Sequence, residues 1–143
     1  MSKGFKLVSF NEHSDDRGNL VALEVEQEIP FEVKRIYYIY GANNDCVRGK
    51  HAHKVLNQLI VCISGSVSFL LDNGKEKETI ILNKPNTAIY IDSLVWREFS
   101  NFSKDCVIVV FASEHYDKSD YILDYNDFLE ECNKNDSSFS RCQ

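Results

Sequence analysis

Proline and glycine are scarce in this chain, two and six of its 143 residues. The segments between them are short and rich in Val, Ile, Phe and Tyr, which is a strand vocabulary. No stretch approaches the roughly 20 consecutive apolar residues of a membrane span, and the opening MSKGFKLVSF has neither a long apolar run nor a small-residue cleavage site. The expectation is a cytoplasmic protein with no membrane partner. Cations are in deficit, with 16 Lys and Arg against 22 Asp and Glu, a net charge of -6. That balance excludes a general nucleic-acid binder, which needs a basic face to neutralise phosphates, so any anionic ligand must be held by a few placed cations. No CxxC pair occurs among the five cysteines, Cys46, Cys62, Cys106, Cys132 and Cys142. Their number is odd and Cys62 and Cys106 lie in apolar runs, which suits reduced, buried thiols better than a disulfide scaffold or a zinc site. Internal repeats and linkers are absent too, and the length fits a single domain, 1–143, with a core of its own.

What is present reads as strands. The pattern predicts them at Lys6–Phe10, Asn19–Glu26, Val33–Tyr40, Gly49–Lys54, Gln58–Ile63, Ser66–Asp72, Glu76–Leu82, Thr87–Ile91, Trp96–Phe99 and Asp105–Ala112. Asn73-Gly74 sits between two of them as a two-residue hairpin signal, since both residue types tolerate positive φ. Ten short strands without a long helix between them predict an all-β fold, an antiparallel barrel or jelly roll. Only the C-terminal part changes period. In SDYILDYNDFLEEC, Tyr121, Tyr125, Phe128 and Leu129 recur at helical spacing with Ser119 or Asp120 available as a cap, so one short helix closes the fold. From about residue 134 the tail is polar and aperiodic and is expected to fray.

The chemistry concentrates in RGKHAHKVLNQLIVCISGS, Arg48 to Ser66. His51 and His53 are one residue apart, so on a strand both face the same side with Cα atoms about 6.5 Å apart. Four residues then separate His53 from Gln58, and six more lead to Gly65. This spacing resembles the first motif of the cupin superfamily, with Gln58 where a glutamate ligand stands. The second cupin motif ends in a histidine followed by an asparagine four residues later, and the matching pair here is Arg97 and Asn101. Two of the four cupin ligands are therefore missing. Gln58 is a poor neutral donor, and the permanent cation of Arg97 repels a divalent metal. Either the histidines are packing residues or they work as acid and base in a metal-free pocket, a role that a pKa near neutrality suits; the second reading is preferred.

Other polar residues fit such a pocket. Arg48 and Lys54 flank the histidines, Arg17 stands in DDRGNL, and with Arg97 they form a set able to clamp a diphosphate. Arg17 and Lys54 also fit a merely solvated surface. Tyr37 and Tyr38 are adjacent on a strand, so one hydroxyl faces the cavity and the other solvent, and parity alone does not choose. The Lys75–Glu78 run reads as a solvated hairpin arm; His115 and Tyr116 either pack at an interface or have no role.

Over a longer span the resemblance narrows. DDRGNL, YYIYGANND followed by VRGKHAHK, NQLIVCISGSVSFLLDNG, and VWREFSNFSKDCVIVVFASEHYDKSDYILDYNDF together resemble the TDP-sugar 3,4-ketoisomerases of deoxysugar biosynthesis, the WxcM-like cupins. The similarity runs from about Phe5 to Phe128. It implies isomerisation of TDP-4-oxo-6-deoxy-glucose to a TDP-3-oxo-6-deoxyhexose without metal or other cofactor, feeding an aminotransferase that makes a 3-amino sugar for a surface glycan. It further implies that His51 and His53 are the catalytic pair, that Arg17 and Arg48 belong to the nucleotide-sugar site, and that the protein is a homodimer with exchanged N-terminal strands. Several members carry a third pocket histidine where this chain has Arg97. Adding Tyr37, Lys54, Gln58 and Arg97 from the residue-level reading completes the expected substrate site. In the implied reaction one histidine, His51 by preference, takes the C3 proton and the other handles the O3/O4 protons, while Arg97 or Arg48 stabilises the enediolate. The alternatives from the same sequence are a TDP-sugar 3,5-epimerase and a nucleotide-sugar-binding cupin without turnover.

Overall fold

The computed structural model describes the backbone of residues 3–141 and the side chains of residues 3–136. Within them the alternation of apolar and polar residues resolves into twelve strands and one α-helix. They are β1 (Phe5–Ser9), β2 (His13–Asp15), β3 (Gly18–Leu20), β4 (Arg35–Tyr40), β5 (Arg48–His53), β6 (Gln58–Ser64), β7 (Val67–Asp72), β8 (Lys77–Leu82), β9 (Thr87–Ile91), β10 (Trp96–Ser100), β11 (Val107–Ala112), β12 (Tyr121–Ile122) and α1 (Tyr125–Arg141). Strand β4 shows the period of two plainly: Arg35, Tyr37 and Ile39 turn inward while Ile36, Tyr38 and Tyr40 are exposed. Tyr37 is thus the inward member of the tyrosine pair and Tyr38 the outward one.

Two five-stranded antiparallel sheets, in the orders β1-β9-β6-β11-β4 and β12-β5-β10-β7-β8, enclose the core; β2 and β3 pair only with each other. Both sheets contribute to one apolar cluster, with Ile60, Cys62, Ile89, Ile91, Ile108 and Val110 from the first meeting Val67, Phe69, Leu71, Leu82 and Phe99 from the second. Each such side chain contributes about 1.5–3 kcal/mol on burial. Behind the first sheet, Ile29, Leu23, Phe31 and Val33 cover Leu59, Val61 and Ala88. Behind the second, α1 lays Phe128 and Tyr125 against Trp96, Ala52 and Ile122. The architecture is the cupin-type antiparallel fold with a C-terminal helix that the strand pattern predicts.

Several local expectations need correction. The strand predicted at Asn19–Glu26 stops at Leu20, because the chain reverses between Glu24 and Ile29: the Glu26 N–H donates to the Ile29 carbonyl at 2.8 Å, with Glu26 at φ 70°. The hairpin turn falls one residue later than Asn73-Gly74. The Asn73 N–H donates to the Glu76 carbonyl at 3.2 Å, only Gly74 takes positive φ (92°), and the Asn73 side chain accepts from the N–H groups of Lys75 and Glu76, both at 2.9 Å. Neither Ser119 nor Asp120 caps the helix. Lys118–Asp120 form a 3-10 turn followed by β12, and Asp124 supplies the cap, its Oδ1 accepting from the Asp127 N–H at 3.0 Å. The helix also continues past residue 134, where the polar tail predicts fraying. Lys134 pairs with Glu131 at 3.6 Å and Lys75 with Asp136 at 3.3 Å, so the polar side chains there serve the helix surface. Residues 142–143 of that tail lie outside the described residues.

Candidate active site

The site begins with a bulge. Arg97 on β10 faces His51 on β5, but the next residue, Glu98, faces Gly49, leaving Lys50 as the extra residue. Gly49 and Lys50 both take positive φ, 85° and 54°, and a Cβ on Gly49 would come within 3.0 Å of the Arg97 carbonyl oxygen. A bulge bends its strand and re-aims the side chains beyond it. Here Arg48 and Lys50 before it are exposed, His51 is half-buried, and His53 is fully buried. The two imidazoles stand perpendicular with centroids 4.8 Å apart, and the Tyr121 ring lies 4.9 Å from His51 and 4.4 Å from His53.

On the same face, Arg97 is completely buried. Its Nη1 donates to Gln58 Oε1 at 2.5 Å and its Nη2 to the Val95 carbonyl at 2.8 Å, while Nε has no partner. With its oxygen so engaged, the Gln58 amide turns its nitrogen to the Tyr37 hydroxyl, donating at 3.0 Å. The Tyr37 oxygen therefore accepts, which leaves its own proton available for another acceptor. Burial raises the Tyr37 pKa, so the phenol keeps that proton. Burial likewise lowers the Arg97 pKa to about 10, which still leaves it a cation at pH 7. Burial first, and the Arg97 charge second, push His51 down to about 4 and His53 down to about 2. Both imidazoles are consequently neutral at pH 7, each with one unprotonated ring nitrogen whose basicity this environment weakens.

His53 is fixed from the far side by a residue the sequence reading missed as a site residue. Its Nδ1 lies 3.0 Å from Asp120 Oδ2, and its Nε2 is buried without a partner. A second missed residue is Arg35. It shares the inward parity of Tyr37 on β4, and its guanidinium carbon lies 5.2 Å from the Tyr37 ring and 5.6 Å from the Tyr116 ring. Arg35, His53, Tyr116, Asp120 and Tyr121 line a cavity of about 440 Å³ that opens to solvent; Tyr37, Gln58 and Arg97 pack inside the barrel. Period-two counting from Tyr37 was a usable signal for Arg35. The family-like segment contains Asp120 and Tyr121 but gives neither a site role, because their placement depends on β12 pairing with β5, Tyr121 opposite His53.

The chain brings His51, His53, Tyr37, Gln58 and Arg97 together, and it leaves the other three expected residues apart. Arg48 and Lys54 are exposed. Arg17 has 87% of its side chain in solvent on the β2–β3 hairpin, where it pairs with Asp15 Oδ2 at 2.6 Å. A cupin metal does not fit this donor set. Gln58 offers its only oxygen to a guanidinium, and among the described residues no group of three or more His, Cys, Asp or Glu is placed to hold an ion.

The family model described as FdtA, WxcM-like, C-terminal, matches residues 3–133. A TDP-4-oxo-6-deoxy-alpha-D-glucose-3,4-oxoisomerase from Aneurinibacillus thermoaerophilus is 44% identical over 123 residues, 86% of this chain and 88% of its own. Among solved structures, a sugar 3,4-ketoisomerase from Thermoanaerobacterium thermosaccharolyticum in complex with TDP is 41% identical with a TM-score of 0.91, covering 94% of this chain and 98% of its own. A 3,4-ketoisomerase from Helicobacter canadensis is 45% identical with a TM-score of 0.87, covering 90% and 97%.

Proposed function

Because the chain belongs to the FdtA (WxcM-like, C-terminal) family, we propose that it is a TDP-sugar 3,4-ketoisomerase, converting TDP-4-oxo-6-deoxy-glucose to a TDP-3-oxo-6-deoxyhexose through an enediol. The observation that carries the reading is the pair of imidazoles, His51 and His53, with ring centroids 4.8 Å apart, His53 lining the cavity and the buried Arg97 paired opposite His51. The C4 ketone acidifies the C3 proton. His51 removes that proton, the electron pair forms the C3=C4 bond, and O4 takes up a proton. Loss of the O3 proton, with delivery of a proton to C4, then leaves the ketone at C3. His53 and the Tyr37 hydroxyl are the proton carriers for the two oxygens, and Arg97 opposes the negative charge that develops between them. No metal enters this scheme, since the carbonyl is polarised by hydrogen bonds and a buried cation.

Gln58 keeps Tyr37 and Arg97 in register, and Arg35 joins Arg48 and Lys54 as a cation for the diphosphate. Arg17, exposed on the β2–β3 hairpin, is assigned in this reading to the site of a second copy of the chain. An isolated two-stranded hairpin is marginal in water, and every residue of β2 and β3 is exposed. On the β4 edge, Ile36, Tyr38 and Tyr40 are also exposed, 59%, 66% and 71%. These features support a homodimer with exchanged N-terminal strands, the β2–β3 hairpin among them. The reading places this single cupin-type domain in the cytoplasm, in keeping with the free cysteines Cys46, Cys62, Cys106 and Cys132, as a supplier of 3-oxo sugars to an aminotransferase for a surface glycan.

Incubation with TDP-4-oxo-6-deoxyglucose in deuterated water, followed by NMR of the product, tests the proposal. The expected product has its ketone at C3 and deuterium at C4. Deuterium at C3 and C5 with the ketone unmoved would make the protein an epimerase, and no incorporation at all a binder.

A further inference from the structure

The 3-10 turn before β12 has a role that the ketoisomerase reading does not itself assign. Its capping Asp117 accepts from the Ser119 N–H at 3.0 Å, and the turn is tied to the end of β5 by the Lys54 N–H donating to the Asp120 carbonyl at 3.0 Å. The Asp120 carboxylate is then held by backbone. Oδ1 accepts from the Val55 N–H at 2.8 Å, and Oδ2 has the Leu56 N–H at 3.4 Å and His53 Nδ1 at 3.0 Å. A carboxylate only accepts, so the proton in the last contact belongs to His53 Nδ1. A neutral imidazole carries one ring proton, which leaves the buried, unpartnered Nε2 bare. The other charged or titratable groups around His53 are His51 on its own strand, Arg97 on β10, Arg35 on β4 and Tyr121 on β12. None of them is hydrogen-bonded to either ring nitrogen among the described contacts, so the tautomer is set by Asp120 alone.

We propose that Asp120 is a positioning residue that holds the Nδ1 proton of His53 and thereby keeps Nε2 as a proton acceptor facing the sugar oxygens. Its consequence for turnover rests on the ketoisomerase reading; its consequence for the tautomer does not. In Asp120→Asn the retained oxygen takes over the Val55 N–H, and the new NH₂ group donates to Nδ1. That forces the ring proton onto Nε2 and removes the acceptor, the same logic by which an aspartate-to-asparagine change disables an orienting carboxylate in the serine-protease triad.

The test is a long-range ¹H–¹⁵N correlation spectrum of histidine-labelled full-length protein at pH 7.5, with His53 assigned by the signal lost in His53→Asn. Wild type is expected to show protonated Nδ1 and bare Nε2, and Asp120→Asn the reverse, with kcat lower by about 100- to 10,000-fold and KM changed by less than about threefold. The wild-type spectrum decides the geometry even if the variant does not fold. Protonated Nε2 in wild type, or an Asp120→Asn protein with the wild-type tautomer and kcat, would overturn the proposal. The expected tautomers in a protein that does not turn over the sugar would uphold the placement and sink the ketoisomerase reading instead.

Discussion

The histidine wall and the β2–β3 hairpin hold their functional residues in opposite ways. In the wall each group is immobilised by several others. Arg97 grips Gln58 and the Val95 carbonyl, Gln58 holds Tyr37, Asp120 holds His53, and Tyr121 packs on both imidazoles. In the hairpin Arg17 has one carboxylate two residues away and open solvent elsewhere. Chemistry that moves protons needs fixed geometry, and the wall supplies it from one chain. A cation that grips a diphosphate needs reach more than rigidity, and under the proposed homodimer the exposed hairpin would offer that reach to a partner copy. The difference predicts that wall substitutions act on kcat and hairpin substitutions on binding and assembly.

The largest effect tests the wall. His51→Asn and His53→Asn should each lower kcat by about 100- to 10,000-fold, because asparagine fills the space of imidazole without accepting a proton. TDP binding by calorimetry should stay near wild type. If both variants keep wild-type kcat, the histidines are packing residues. Arg97 comes next. Arg97→Ala should lower kcat/KM about 10- to 100-fold, by loss of one charge-assisted contact in a water-poor site. Arg97→His should fall between the two and lose ground as pH rises and the imidazole charge disappears.

Arg17 sharpens the contrast from the other side. Arg17→Ala should shift stability by less than about 0.5 kcal/mol, as expected for an exposed side chain, while raising KM. Each of Arg17→Ala and His51→Asn is impaired alone, yet mixed after subunit exchange they should recover activity, since one site of the heterodimer then has both residues intact. Failure to recover in a mixture shown to contain heterodimers would confine the site to one chain. The last contrast is in stability against pH. The folded His51 and His53 titrate far below the ordinary histidine value of 6.5. Below that value the unfolded chain takes up protons that the folded one refuses. Stability is therefore full above about pH 6.5 and falls as the pH drops towards 4, where His51 titrates. Denaturant melts of His51→Asn should show a shallower decline over that window than wild type.

What the sequence made legible follows the same division. The paired histidines could be placed on one face because strand parity is local; Gln58 and Arg97 lie on other strands, entered through the resemblance to the cupin motifs, and needed the β5–β10 pairing to show which way Arg97 faces. Tyr37 required knowing which face of β4 is buried, which its alternation with Tyr38 states but does not orient. Asp120, like Ser119, presents itself as a helix cap because the helical spacing starts at Tyr121 beside it; its actual partner, His53, is 67 positions away and reachable only through the β12–β5 pairing. The hairpin at Asn73-Gly74 was misplaced by one residue for a related reason, the Asn73 side chain bonding to backbone in place of the expected turn. Local chemistry marked the paired histidines, and long-range pairing set the residues that aim them.

The central claim is that a histidine pair beside a buried arginine moves the ketone without a metal. Protein stripped with a chelator and shown by elemental analysis to hold no transition metal should be given TDP-4-oxo-6-deoxyglucose in deuterated water and followed by NMR. Ketone migration to C3 with deuterium at C4, at the rate of untreated protein, is the predicted result; migration that stops on stripping and returns with one equivalent of a divalent metal would contradict it.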